Sequence, residues 1–173
     1  MTRARQLSKH LEHTMSGPMW HGPALAEVLD GVTPDGAAAR PIAGAHTIWE
    51  IVLHVIAWAE IARARLKGQS TGDPTPAEDW PPVAAPGPDA WQRAITQLDT
   101  SHRLLAADAL ELDEARLDAL VPGLDYSVAV LLHGIVEHGT YHGGQIALLK
   151  RALAGADLGA TQGGPTSALH RES

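Results

Sequence analysis

Residues 45–67 constrain the fold more than any other segment of this 173-residue chain. Their sequence is AHTIWEIVLHVIAWAEIARARLK, and Gly68 follows it. Large apolar side chains recur around most of the circumference that a helix would have, whereas a surface helix has only one apolar stripe. The segment therefore predicts a long helix that is buried on more than one side, either at the centre of a domain or also at a subunit interface.

The remaining apolar patterns also have helical spacing, and no segment shows the alternation of a half-buried strand. Further helices are predicted over residues 2–15, 24–29, 90–109, 113–120 and 126–153. Asp89 is the predicted N-cap of the helix over residues 90–109. The connectors are residues 33–45 and 69–88, and the second contains too many prolines for a helix or a strand. The sequence thus predicts an all-α fold, a four-helix bundle with long connections. Residues 1–154 would form its domain and residues 155–173 a flexible C-terminal tail.

The composition excludes several classes of protein. The chain has no cysteine, so disulfides, thiolate metal ligands and a cysteine nucleophile are all excluded. Its formal net charge is −7 at pH 7, and no basic cluster suggests a nucleic-acid partner. No apolar run has the length of a membrane span, and the start MTRARQLSKH does not resemble a secretory signal. We therefore expect a cytoplasmic protein without a membrane partner.

His138 and His142 stand four residues apart within the apolar run 131–149 of the last predicted helix. In a helix, this spacing places both imidazoles on one face, one turn apart. Neutral imidazole is a good ligand for zinc, nickel, iron or copper, so the pair could chelate one divalent ion. The alternative is that both are helix histidines satisfied by hydrogen bonds.

A second polar row lies in the apolar helix, where His46, Glu50 and His54 follow one another at intervals of four. A buried polar group without a partner costs about 1–3 kcal/mol, so these side chains need a metal or hydrogen-bond partners. His54, midway along the helix, is the best third ligand beside the histidine pair of the last helix. Three neutral nitrogens would leave coordination positions for water or substrate, which is typical of a catalytic site.

Four glycines lie inside the last predicted helix, at positions 134, 139, 143 and 144. Each costs roughly 1 kcal/mol relative to alanine in a helix interior. Close approach by a neighbouring helix would explain them structurally, and room for a ligand beside the two histidines would explain them functionally. Both explanations stay open at this point.

Three other side chains have weaker assignments. Trp20 and His21 lie at a break between two helical segments, where they would form the lip of a pocket or anchor a loop to the core. His102 has no partner at helical spacing, so we expect a surface or capped histidine rather than a metal ligand.

Three stretches together resemble the DinB-like superfamily, the DinB/YfiT-type four-helix proteins. They are WHGPALAEVLDGV at residues 20–32, AHTIWEIVLHVIAWAE at residues 45–60 and HGIVEHGTYHGGQIALLKR at residues 133–151. The resemblance covers residues 6–153 with order and spacing intact. It implies an antiparallel-type four-helix bundle with a long crossover that is often dimeric, so a homodimer is expected.

The resemblance also implies a divalent metal, zinc or nickel, that is held by three histidines. In this chain they are His54, His138 and His142. Gln145 resembles the glutamine of the family's HxGQ motif and would orient a ligand or cap the site. His46 is an additional histidine relative to the family pattern, and we expect it to line the pocket or to lie behind the ligands.

The chain is therefore expected to be a metal-dependent enzyme that acts on a small molecule. Some members of the family resemble S-transferases or isomerases that use low-molecular-weight thiols such as bacillithiol or mycothiol, and others are described as metal-dependent hydrolases. For hydrolysis, Glu50 is a candidate base because it lies one turn from His54. The alternative is a non-catalytic metal-binding or stress-response protein that binds a small molecule.

Overall fold

The computed structural model describes residues 1–69 and 72–161, and these residues form helices and loops without a β-strand. The helices of this part of the chain are α1 (Arg3–Ser16), α2 (Leu25–Leu29), α3 (Pro34–Ala38), α4 (Ile48–Leu66), α5 (Pro76–Asp79), α6 (Pro88–Leu110), α7 (Glu114–Asp118) and α8 (Val128–Thr161).

The four long helices α1, α4, α6 and α8 form a bundle. Helix α4 packs against α6 and α8, and α1 packs against the same two helices, so α1 and α4 lie diagonally opposite each other. The prediction of an all-α four-helix bundle is confirmed. None of the helices in the described ranges is long and apolar enough to span a membrane.

Helices α4 and α6 run parallel. The tilted ring pair Trp49–Trp91 joins their first turns, and the ion pair Arg63–Asp108 joins their last turns. Two parallel neighbours need a connection that returns along the whole bundle, and residues 67–87 provide it. The long Pro-rich segment of the sequence is thus a crossover.

Helices α4 and α8 run antiparallel, because Arg65 at the end of α4 bonds Tyr126 just before α8. The apolar interior of the bundle consists of two clusters, and α4 contributes to both. On α8, Ile135 belongs to the first cluster and Ile146 to the second. The part of α8 between them lies where the two clusters meet, and it contains the histidine pair.

Helix α4 begins at Ile48, three residues later than predicted, because Thr47 caps it. The Thr47 hydroxyl accepts from the Glu50 N–H, and the Glu50 carboxylate accepts from the Thr47 N–H, which is a capping box. The helix ends as predicted before Gly68, whose φ of +67° lies in the left-handed region that favours glycine. Most of the α4 surface is buried, as its apolar circumference indicated.

Two of the predicted connectors contain short helices. Helix α5 forms inside the segment that seemed too rich in proline, because Pro76 occupies the first turn and Thr75 caps it. Proline is compatible with a helix start, since the N–H that it lacks would be unpaired there anyway. Helix α3 begins with Pro34 in the same way. Helix α6 likewise starts at Pro88, so Gly87 rather than Asp89 is its N-cap.

Helix α8 continues to Thr161, past the predicted end near residue 153. The added residues include alanine and leucine, which favour a helix, and Gly155 does not end it. The rest of the predicted tail, residues 162–173, lies outside the described residues.

Candidate metal centre

Three imidazoles meet between α4 and α8 at the boundary of the two apolar clusters. Nε2 of His138 lies 2.9 Å from Nε2 of His54 and 3.1 Å from Nε2 of His142. One ring nitrogen of each histidine lies within 4.8 Å of those of the other two. The structure therefore brings together the three side chains that the sequence and the resemblance pointed to as ligands.

Two of the three rings are oriented by hydrogen bonds at Nδ1. His54 Nδ1 lies 2.6 Å from the backbone carbonyl oxygen of Asp79, and His142 Nδ1 lies 2.7 Å from Oε1 of Gln145. Both oxygens can only accept, so in each neutral ring Nδ1 carries the proton and Nε2 presents a lone pair. Such a contact behind the ligand is what fixes the tautomer in histidine metal sites.

The proton count leaves the three converging nitrogens unsatisfied. His54 and His142 direct lone pairs towards His138, and the Nε2 atom of His138 can donate at most one proton. At least one of the two close contacts therefore places two lone pairs against each other. A divalent cation among the three nitrogens would satisfy all of them.

Burial lowers the pKa of all three imidazoles. For His138, burial and the neighbouring rings of His142 and His54 lower the pKa to about 3. For His54 and His142, burial outweighs the hydrogen bonds with Asp79 and Gln145, which would raise the pKa. The three side chains are therefore neutral at neutral pH, which is the form that binds a metal ion.

The distances also fit a shared ion. Zinc–imidazole bonds of about 2.0–2.1 Å place neighbouring ligand nitrogens about 2.9–3.4 Å apart, from octahedral to tetrahedral angles. The separations of 2.9 and 3.1 Å from His138 lie in this range, and the nitrogens of His54 and His142 lie within 4.8 Å of each other. Among the described residues no carboxylate joins the cluster. Three histidines with no fourth protein ligand correspond to an open site.

An aromatic layer supports His54 from the crossover. The Trp80 ring stacks on His54 at 3.9 Å and, with its other face, on His46 at 3.6 Å. Trp58 donates from Nε1 to the Asp79 carboxylate, which is itself 3.3 Å from His54 Nδ1. Residues at the end of α5, in the crossover that follows α4, thus hold the His54 ring in place.

The other predicted site residues lie around this centre without joining it. Gln145 bonds His142, and His46 is separated from His54 by the Trp80 ring. Glu50 is occupied in the helix cap and in an ion pair with Arg40. Although partial burial would raise the pKa of Glu50, the bonds with Thr47 and Arg40 hold it below the usual value. These contacts support a structural role, and its role as a base stays a prediction.

Two weaker expectations are corrected. Trp20 is fully exposed, so it does not anchor a loop to the core. His102 is buried rather than on the surface, and its Nδ1 is bonded to the Leu98 carbonyl oxygen one turn earlier. The Leu98 carbonyl lies inside α6 and also accepts from the Ser101 hydroxyl, so the bond satisfies Nδ1 of His102 by sharing a helix acceptor, and Nε2 has no partner among the described residues.

A cavity of about 270 Å³ adjoins the histidine cluster at His138. The residues that line it are Trp58, Arg65, Tyr126, Val130, Leu131, Gly134, Ile135 and His138. Its wall is mostly apolar, with a single buried cation. Gly134 has open space where a Cβ would lie, so at this position the glycine provides room beside the site.

The sequence analysis did not identify Asp79, Trp80 or Arg65. The first two lie in a connector with no periodic pattern, so their approach to His54 depends on the path of the crossover. Arg65 belongs to the segment ARARLK, which is typical of an exposed helix end. For Arg65, the sequence signal was the apolar circumference of α4, which implied that other parts of the chain bury even the last turns of this helix.

The comparison with protein families gives a match over residues 20–146, to the family described as the DinB superfamily. The matched range includes all three histidines and most of the bundle. No curated protein and no solved structure matches the chain significantly.

Proposed function

The chain belongs to the DinB superfamily, and from this premise we propose that it is a metal-dependent enzyme whose divalent ion is held by His54, His138 and His142. The observation that carries the proposal is the convergence of three neutral Nε2 atoms that share at most one proton. An all-imidazole ligand set suits zinc or nickel, and we propose one of these two ions.

The chain's own residues keep the site ready for an ion. Asp79 and Gln145 accept from His54 and His142 and so direct the two Nε2 lone pairs inward. Trp80 stacks on one face of the His54 ring, and Trp58 packs edge-on against the same ring. A divalent ion bound by three imidazoles supplies Lewis acidity, which lowers the pKa of a water or a thiol.

Thiol transfer has more support here than hydrolysis. A hydrolase gains from a carboxylate that accepts a proton from the attacking water. The Asp79 carboxylate approaches His54 from its Nδ1 side, away from the converging Nε2 atoms, and the Glu50 carboxylate is engaged with Arg40. A thiol depends less on such a base, because its ordinary pKa of about 8.5 is already near neutrality. We therefore propose a low-molecular-weight thiol as co-substrate and S-transfer as the reaction.

The test is thiol consumption by the full chain loaded with zinc or nickel, using bacillithiol and mycothiol with an aryl halide as acceptor. We expect a metal-dependent rate that is lost in His138→Ala and kept in His133→Ala, since His133 is an exposed histidine of the same helix. A His138→Ala variant that has lost its metal and keeps the full rate would contradict the proposal. Metal-dependent cleavage of an ester without thiol turnover would identify a hydrolase instead.

The exposed face of α8 supports the predicted homodimer. Val130, Tyr141 and Leu148 are each more than half exposed and lie on one side of this helix. We propose that two copies associate through this face, because an exposed apolar row is a common mark of an interface. Light scattering should give a dimer for the wild type and for Leu110→Glu, an exposed leucine of α6, but a monomer for Leu148→Glu. A monomeric wild type would contradict the assignment.

A further inference from the structure

Arg65, in the last turn of α4, is a buried cation without an anion beside it. Its side chain is 1% exposed, and its Nε atom has no hydrogen-bond partner in the part of the chain that the structure describes. Nη1 donates to the Tyr126 hydroxyl at 2.8 Å, and Nη2 donates to the Gly72 carbonyl at 2.9 Å. Both acceptors are neutral, and none of the ion pairs among the described residues includes Arg65.

This arrangement is unusual for a charge inside a protein. An arginine keeps its charge in proteins, and buried charges are normally paired with an opposite charge. The guanidinium has five N–H donors, and these two bonds use only part of them. The face of Trp58, 5.5 Å from the guanidinium carbon, gives some compensation but no negative charge. The site therefore lacks an anion that a ligand could supply.

The same cavity connects Arg65 to the metal centre. Arg65 and His138 both line it, and Trp58 lies between them, with its ring centroid 5.8 Å from that of His138. The remaining wall is apolar and includes Leu131 and Ile135. A molecule that filled this space would have the buried charge of Arg65 behind the wall at one end, an indole and aliphatic side chains along its body, and His138 at the other end.

We propose that this cavity binds an amphipathic organic carboxylate, with its apolar body against Trp58 and its carboxylate at the Arg65 end. There the carboxylate would replace the Tyr126 hydroxyl, which also lines the cavity, as an acceptor for the buried guanidinium. A planar carboxylate matches the donor fork of a guanidinium better than a point charge would. The assignment of this anion as the substrate rests on the proposed function. Binding of the carboxylate does not, because Arg65 and the metal ligands are different residues.

The first test is charge selectivity, measured by calorimetry on the zinc-loaded full chain with octanoate, octanol and octylamine. These probes share one apolar body and differ in charge. We expect octanoate to bind at least about tenfold tighter than octanol, and octylamine to bind most weakly of the three. Equal affinities for octanoate and octanol would overturn the proposal, and this comparison needs no variant.

The second test removes the cation. Arg65→Gln keeps hydrogen-bonding groups but loses the charge, and Arg63→Gln is the matched control on the same helix, outside this cavity. We expect the preference for octanoate over octanol to disappear in Arg65→Gln, with unchanged metal content, and to persist in Arg63→Gln. A preference that survives in Arg65→Gln would mean that octanoate binds the metal or another basic group, and the proposal would be wrong.

A third measurement separates this inference from the proposed function. In His142→Ala, which should hold no metal, we expect the preference for octanoate to remain. If the preference for octanoate is lost together with the metal, the proposed role of Arg65 is wrong. The proposed metal-dependent reaction is not affected by that result. Conversely, an Arg65-dependent preference in a protein without thiol turnover would refute the proposed reaction alone.

Discussion

At the scale of single residues, hydrogen bonds at Nδ1 decide what the buried histidines can do. His54 and His142 bond carbonyl-type acceptors through Nδ1, which leaves Nε2 free to bind an ion. His102 makes a similar bond to Leu98, yet its Nε2 is buried without a partner and does not belong to the cluster. His102 thus differs from His54 and His142, which are also buried, in what its Nε2 atom faces.

Burial of His102 predicts a stability that depends on pH. Burial lowers the pKa of His102, and the bond to Leu98 and the nearby Asp99 only partly oppose it. The folded pKa is below the unfolded value of about 6.5, so the stabilisation is complete above that value and is lost as the pH falls towards the folded pKa. As the pH falls from about 7.5 to 5.5, the free energy of unfolding of His102→Gln should decrease less than that of the wild type. Below pH 6.5 the difference should grow by about 1 kcal/mol per pH unit at most.

The measurement is urea denaturation of both proteins with a chelator present, so that the metal ligands contribute equally. A free energy of unfolding that changes equally in both proteins as the pH falls would show that His102 takes up its proton at the same pH in the folded and unfolded states. The lowered pKa of the folded state would then be wrong.

The residue scale also shows what a sequence can and cannot reveal. The spacing of His138 and His142 was visible in the sequence, because helix periodicity relates them. The choice of His54 rested on its position in an apolar helix and on the resemblance, since no local pattern links it to the pair. Arg65 was not visible as a buried cation, because its burial depends on Tyr126 and on the crossover, which are far from it in sequence. Local pattern identifies ligands on regular helices but not the tertiary surroundings of a charge.

At the scale of elements, the glycines of α8 have different explanations. A Cβ on Gly139 would lie 2.5 Å from the Thr14 side chain of α1, and one on Gly143 would contact Leu25 of α2. A Cβ on Gly144 would meet no atom within 4 Å. The structural explanation, close helix approach, therefore holds for Gly139, whereas Gly134 lines the cavity beside the histidines.

This difference predicts opposite effects of two alanine substitutions in one helix. Both gain about 1 kcal/mol of helix propensity, but Gly139→Ala also forces Thr14 to move from its bond with the His10 carbonyl. Gly139→Ala should be less stable than Gly144→Ala by about 1–3 kcal/mol, the usual range for overpacking. Chemical denaturation at low protein concentration measures this difference. Equal stability of the two variants would mean that α1 can move away from α8 at no cost.

Helix α5 is the element that the Pro-rich sequence concealed, and it carries much of the support for the metal centre. Its C-terminal residue Asp79 and the following Trp80 are both in contact with His54. The capping box of Thr75 and Glu78 holds this single turn in place. A connector of low apolar content can therefore have a defined position when its ends are capped and a few of its side chains are stacked.

Removal of the Trp80 ring should weaken metal binding without removing a ligand. Trp80→Ala leaves the bond to the Asp79 carbonyl as the main contact that orients His54. Loss of a group that orients a ligand typically costs 10–100-fold in metal affinity. We expect about a tenfold weaker zinc affinity for Trp80→Ala and no change for Trp20→Ala, since Trp20 is fully exposed. Competition with a chromogenic chelator measures both. Unchanged affinity in Trp80→Ala would show that the bond to Asp79 suffices to orient His54.

At the scale of the whole molecule, the bundle places the three clustered histidines at the boundary between its two apolar clusters. The three clustered histidines come from α4 and α8, which are antiparallel neighbours, so an ion bound by them would join two long helices near their middles. The order of helices and the long crossover followed from the sequence pattern and the resemblance. The cavity beside His138 did not, because its walls come from α4, the loop before α8 and α8 together.

Metal content is the most direct test of the central claim, that His54, His138 and His142 form one metal site. Elemental analysis would compare untagged wild type, His142→Ala and His133→Ala after growth with zinc or nickel supplied. We predict about one ion per chain in the wild type and in His133→Ala, whose histidine is exposed on the same helix, and almost none in His142→Ala. No ion in the wild type, or an ion that His142→Ala retains in full, would contradict the claim and leave a helical bundle with buried histidines.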